Sequence, residues 1–389
     1  MQSRSAAPFD AEFRLVLACS KLPADEVLVR HLSRQVQDWE KLLRYAEGHE
    51  LTPLICHTLI GSGCSLSSTT SDHLMRKVRA HTQKNLLLTA ELLRIMRTLL
   101  AENIRAIPYK GPVLAACAYG SLAMRGFCDL DVLVPEADMR RALRIMPELG
   151  YRAHYPLTAA QEARYLRSTC EYNFVHQSHP TQVEIHWQVV PPQLGLRFEF
   201  DQFWSRARSL PIGGSELPVL SPEDALLVLS VHGFKHLWSC LKWVGDVANL
   251  LSSAEDLDWS YVLDVARRMG AMRVVLVGLG VANQLFESRL PDPIRASLRG
   301  DSVATAIARE VVSSYAPENA MSGWKKRLLT LRAFSGFRNR ACYLGRVLFD
   351  PTTEEAVRAP ERSLGRLRTE RVFHVAQQAI SDFRKSRRA

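Results

Sequence analysis

The chain has 389 residues, 47% of them apolar and 23% charged, and its 50 Lys and Arg against 40 Asp and Glu leave a net charge of +10. That length predicts two or three domains with ample core material, and the apolar content excludes an intrinsically disordered chain. No window carries the roughly 18 uncharged apolar residues that a membrane span needs, and the longest candidate, VVLVGLGVANQLF at 274–286, reads as a buried helix.

At the N-terminus, MQSRSAAPFDAEFRLVLACS places Asp10 and Glu12 before a short apolar stub, which is not the pattern of a signal peptide, so a cytoplasmic location is expected. The eight cysteines, at 19, 56, 64, 117, 128, 170, 240 and 342, form no CxxC pair and read as reduced, small hydrophobes. Apolar residues spaced by three and four predict a helix over 27–49 and another over 85–104, with the small polar residues of 61–72 as a loop between them. The texture then changes. Residues 104–111, IRAIPYKG, read as a strand running into a helix at Lys110-Gly111, and Pro112 suits the first position of the short helix that follows. Gly120-Ser121 reads as the exit of that helix.

In GFCDLDVLV, 126–134, two carboxylates sit inside a run that otherwise forms a core strand. With a side-chain period of two, Asp129 and Asp131 share one face and Leu130 and Val132 the other. Two like charges side by side raise each other's pKa unless a cation intervenes, so the pair is either solvated at a sheet edge or bound to metal. A helix is expected over 135–151, ending at Gly150, and then two strands within 171–190 around His179-Pro180. In the second strand Val183, Ile185 and Trp187 share one face while Glu184, His186 and Gln188 share the other, so a third carboxylate lies on a neighbouring strand. Three such oxygen donors facing one point suit one or two Mg²⁺ ions.

From Ser221 to 253 a single helix is expected, capped by Ser221 with Pro222, Glu223 and Asp224 in its first turn. On a helical projection Leu226, Leu229, Leu237, Leu241, Val244 and Val247 share an apolar face, and His232, Lys235, His236, Ser239, Lys242, Trp243 and Asp246 gather opposite. More helix follows to about 345, then a Pro-broken linker. From Arg362 onward there are eight Lys or Arg against two acids, a basic tail that suits nucleic acid or a membrane surface by charge but lacks the interleaved aromatics of single-strand binders.

The run YKGPVLAACAYGSLAMRGFCDLDVLV, then VEIHW, then HGFKHLWSCLKWVGDVANLL, resembles the uncharacterised nucleotidyltransferase family of bacteria, within the polymerase-beta-type nucleotidyltransferase superfamily. The resemblance covers roughly residues 100–255. It implies an α+β fold, a small mixed-sheet nucleotidyltransferase core flanked by N- and C-terminal helical domains, here divided as 1–95 helical, 96–210 core, 211–345 helical and 346–389 linker and tail. It further implies a catalytic, metal-binding set of Asp129, Asp131 and Glu184. Nucleotide contacts would come from Lys110, Gly111, Arg125, Lys242, His186, His232, His236 and Asp246. The cofactor implied is Mg²⁺ or Mn²⁺ and the co-substrate an NTP, from which an NMP moves to a hydroxyl or phosphate acceptor: a small molecule, a sugar phosphate, a peptide or a protein. One departure matters. Gly111-Pro112 stands where the superfamily has Gly-Gly or Gly-Ser, so one amide donor to the triphosphate is missing, which keeps open a nucleotide-binding or interaction module of the same fold without turnover. His232 and His236 have the i, i+4 spacing of helical metal ligands, but with Lys235 and Lys242 adjoining and no following Glu they suit a helix face lining a nucleotide cleft better than zinc.

Overall fold

Strands β1 (Ile107–Pro108), β2 (Asp129–Leu133), β3 (Tyr151–Ala153), β4 (Glu171–His176) and β5 (Gln182–His186) form one sheet in the order β1-β2-β5-β4-β3. The computed structural model describes residues 9–349 except 255, 317, 318, 320, 335 and 336, together with 372, 373 and 377. Strands β2 and β5 run parallel and every other pair is antiparallel, so the sheet is small and mixed. Its register sets Asp131 beside Glu184, and His186 between Leu133 and Glu171.

Alternation gives the sheet two unlike faces. Leu130, Val132, Val183, Ile185, Tyr172 and Phe174 face a core completed by Leu92, Ile95 and Leu99 of helix Ser68–Ala101 and by Ala142 and Ile145 of helix Met139–Ile145. Each aliphatic side chain buried there contributes about 1.5–3 kcal/mol. The other face carries Asp129, Asp131, Glu184, His186, Glu171 and Asn173. A second hairpin, β6 (Arg208–Ile212) and β7 (Ser215–Val219), packs on β1 and runs across position 210.

Several expected elements differ for identifiable reasons. The helix expected over 27–49 is two, Glu26–Ser33 and Trp39–Gly48, because Asp38 caps the second through Lys41 N at 2.8 Å. The expected loop at 61–72 ends early: Ser67 caps a 34-residue helix, Ser68–Ala101, with Leu74 as its buried anchor. Position 95 therefore falls inside a helix that covers the sheet. In place of a helix over 135–151 there is Met139–Ile145, followed by turns to Gly150 at φ 83°.

The largest difference lies at 221–253, where two helices, Pro222–Lys235 and Leu241–Ser253, replace one. Leu237 and Trp238 take φ of 47° and 53° between them. Such backbone is costly for non-glycine residues, and burial over-determines it here. Trp238 is fully buried in a slot beside Gly233 and Gly278, where an added Cβ would come within 2.4 and 2.5 Å of the indole, and Tyr315 donates to its carbonyl.

Helices from before and after the sheet share a core: Phe13, Leu15 and Val16 of Ala11–Cys19 cluster with Val274, Val277 and Val281 of Met272–Phe286. The run at 274–286 is thus a buried helix, and no described helix is long and apolar enough to cross a membrane. The described cysteines are free thiols. The proposed linker and basic tail from 350 onward lie outside the described residues, apart from 372, 373 and 377.

Candidate active site

The polar face of the sheet opens into a cleft of about 260 Å³ lined by Asp129, Asp131, Glu184, Lys110, His186 and Lys242 among others. Lys110 is placed by the strand-to-helix turn after β1. Gly111 has φ 53°, and an added Cβ would stand 3.4 Å from the Asp129 carbonyl, so glycine suits both the conformation and the close approach. Helix Gly111–Tyr119 starts here without a side-chain cap and with Pro112 in its first turn, and it ends at Gly120 with φ 68°, the helix exit read from the sequence.

Asp131 is the hub. Lys110 Nζ donates to its Oδ1 at 2.7 Å, and His186 Nε2 lies 3.2 Å from the same oxygen and 3.3 Å from Glu184 Oε2. On the opposite side, His186 Nδ1 is 3.5 Å from Glu171 Oε2, which in turn is 3.9 Å from Lys235 Nζ. Burial pushes the Asp131 carboxyl up, but Lys110 and His186 outweigh it and hold the group well below the usual range. For His186, burial pulls the other way and is overcome by its contacts with Asp131 and Glu184 and by the charge of Glu171. The net effect holds its pKa well above the ordinary histidine value. Asp129 lacks such a partner. Burial and the charge of Asp131 push its carboxyl up to about 6.

The ligand atoms of Asp131, Glu184 and His186 lie within 4.8 Å of one another; Asp129 shares their face and the cleft wall but belongs to no such group among the described residues. Three carboxylates on one face are hard oxygen donors of the kind Mg²⁺ and Mn²⁺ prefer, and the raised pKa of Asp129 marks negative charge that a cation relieves. Of the three acids, Asp131 and Glu184 come within ligand reach of one point and would hold a divalent ion, with Asp129 beside them on the same face.

Arg125 and Asp246 face each other. The guanidinium donates from Nε and a terminal nitrogen to the two carboxylate oxygens at 2.7 and 2.8 Å, and Tyr119 OH adds a third bond to Asp246 at 2.7 Å. Arg125 lines the cleft; Asp246 stands behind it, outside the lining, where it orients the arginine. Lys242 pairs with Glu50 across the mouth. His232 and His236 line the cleft from the end of helix Pro222–Lys235, so the helix break keeps on one wall the residues that a continuous helix was expected to gather, Ser239 and Asp246 excepted.

Sequence reasoning missed Glu171 and Glu50. Alternation in EYNFVH, with Tyr172 and Phe174 apolar, already sets Glu171 on the polar face; nothing local marks Glu50, which only the fold brings to Lys242, 192 positions away.

A small mixed sheet with acids on one face and a lysine-rich wall opposite is the arrangement of a nucleotide-handling transferase. The sequence model of a family described as uncharacterised nucleotidyltransferase matches residues 35–287, and the chain belongs to that family. Among solved structures, a lincomycin-bound lincosamide antibiotic adenylyltransferase, LnuA, is similar at 16% identity and TM-score 0.30, over 42% of this chain and 97% of its own. An antigenic nucleotidyltransferase-like protein from Paracoccidioides brasiliensis is similar at 11% identity and TM-score 0.30, over 56% of this chain and 96% of its own. No curated protein matches the chain.

Proposed function

We propose that the protein is a divalent-metal-dependent nucleotidyltransferase that moves an NMP from an NTP to a hydroxyl or phosphate acceptor. The observation that carries this reading is the cleft in which Asp129, Asp131 and Glu184 face Lys110, Lys235, Lys242 and Arg125. Each base already has an acid beside it, Lys110 with Asp131, Lys242 with Glu50, Arg125 with Asp246 and Lys235 with Glu171, and a triphosphate with its cation offers these groups new partners of opposite charge.

Asp129, Asp131 and Glu184 would hold Mg²⁺ or Mn²⁺, which when bound lowers the charge on the triphosphate and on the leaving pyrophosphate. Lys110, Lys242 and Arg125 bind phosphate oxygens through charge-assisted hydrogen bonds, which offsets the amide donor that Pro112 removes. Glu184 accepts the proton of the acceptor hydroxyl as its oxygen bonds to the α-phosphorus, and the bond from that phosphorus to the β-bridging oxygen breaks to release pyrophosphate. His186, with Nε2 3.2 Å from Asp131 Oδ1 and 3.3 Å from Glu184 Oε2, fixes both carboxylates in place.

Incubating the protein with each α-labelled NTP, Mg²⁺ or Mn²⁺ and a cell extract tests this. Label enters an acceptor with the wild type and falls by at least about 100-fold with Asp129→Asn/Asp131→Asn. A second reading, a binding module without turnover, draws on the Lys110 ammonium 2.7 Å from Asp131, where it stands in for a cation. Nucleotide binding with no label transfer from any of the four nucleotides would decide for it.

A further inference from the structure

The wall of the cleft that carries Lys235 and Lys242 also carries three uncharged rings. His236 and Trp243 stack with ring centroids 4.6 Å apart and planes 27° from parallel, and His232 meets Trp243 edge-on at 5.7 Å. All three line the cleft. Burial, reinforced by Lys235 and Lys110, brings His236 down to about 4, and burial with Lys110 and His236 lowers His232 well below its ordinary value, so both imidazoles are neutral near pH 7. Phe127 also lines the cleft but is 5% exposed and packs in the core beneath the sheet. Trp243 is only half-buried. It follows Lys242 at the start of helix Leu241–Ser253, beside the left-handed turn that buried Trp238 pins in place, so the wall stands on rigid backbone.

We propose that the His236–Trp243 stack is the nucleobase platform of this cleft, with the base on the face of the Trp243 indole away from His236 and the phosphates on the lysines that line the cleft. The inference rests on the nucleotidyltransferase reading. A flat, uncharged ring gains dispersion and stacking from an indole face, whereas phosphates gain nothing from two neutral imidazoles. Every base has such a face, so a platform of this kind holds all four with little selectivity. His236 backs the indole from behind and sets its tilt.

Calorimetric titration of the full chain with ATP, CTP, GTP and UTP, and with inorganic tripolyphosphate, all with Mg²⁺, tests it. Trp243→Ala weakens each nucleotide by about tenfold or more and leaves tripolyphosphate unchanged, while Trp243→Phe, which keeps a ring, retains most of the nucleotide affinity. Unchanged nucleotide affinity in Trp243→Ala, or an equal loss for tripolyphosphate, overturns the platform. So does wild-type protein that binds tripolyphosphate as tightly as ATP, which leaves the transferase reading standing. Wild-type protein that binds neither ligand removes the transferase reading itself, and the platform with it.

Discussion

Asp129 and Asp131 sit two positions apart on one strand and have opposite electrostatic fates. Asp131 is anchored by Lys110 and His186 and stays ionised, while Asp129, buried beside it without a comparable partner, is pushed up to about 6. A carboxyl raised in the folded state binds more protons there than in the unfolded chain between pH 3.8 and about 6. Its contribution to stability is therefore full below pH 3.8 and lost as pH rises through about 6. Asp129→Asn, which cannot ionise, should be more stable than wild type at pH 7.5 by on the order of 2 kcal/mol, with the advantage gone near pH 4. Urea unfolding at the two pH values measures the difference, and an equal offset at both would show that Asp129 carries no such strain. Saturating Mg²⁺ should shrink the gap at pH 7.5, since a bound cation stabilises the ionised form.

Between helices Pro222–Lys235 and Leu241–Ser253, the five-residue turn decides the shape of the site. Trp238 fills the slot beside Gly233 and Gly278, and this insertion bends the chain so that His236 and Trp243 meet. Gly278→Ala would place a methyl 2.5 Å from the indole, outside the cleft lining. The expected cost is about 1–3 kcal/mol of overpacking, together with weakened nucleotide binding as the turn shifts. Thermal melting and calorimetry on the same sample check both, and a variant that loses stability but binds nucleotide unchanged would separate the slot from the site. This turn is also where the sequence was least legible. Apolar and polar positions through 221–253 keep a helical period across the break, and of the two glycines that make the Trp238 slot only Gly233 is local, while Gly278 lies 40 positions away. The acidic strand was legible for the opposite reason: alternation at 129–134 and 182–187 is short-range, and it fixes both the polar face and the Asp131–Glu184 neighbourship once the two strands pair. Asp38 was a legible cap passed over inside a periodic run, and Glu171 was legible in the same way as Glu184.

Across the whole molecule, the cleft draws one wall from each part of the chain: Glu50 from the N-terminal helices, the acids and Lys110 from the sheet, and Lys235, Lys242 and Trp243 from the helices after 221. The helices before and after the sheet share a single apolar cluster, so the charged residues that meet across the mouth are held by a common core and not by a hinge. Pairs such as Lys242 with Glu50 then contribute to the placement of charge more than to stability, because a half-exposed ion pair is worth only about 0–1 kcal/mol. The N-terminal helices were legible as helices, but their closeness to the site was not, since nothing in a helical period says which other helix it meets. The account turns on whether the three acids direct attack at the α-phosphorus. Parallel reactions with α- and γ-labelled NTP, using an acceptor fraction from extract, settle the position of attack. The α-label should enter the acceptor while the γ-label leaves as pyrophosphate in equal amount, with both lost in Glu184→Gln. Transfer of the γ-label to the acceptor, or α-transfer undiminished by that substitution, would contradict it.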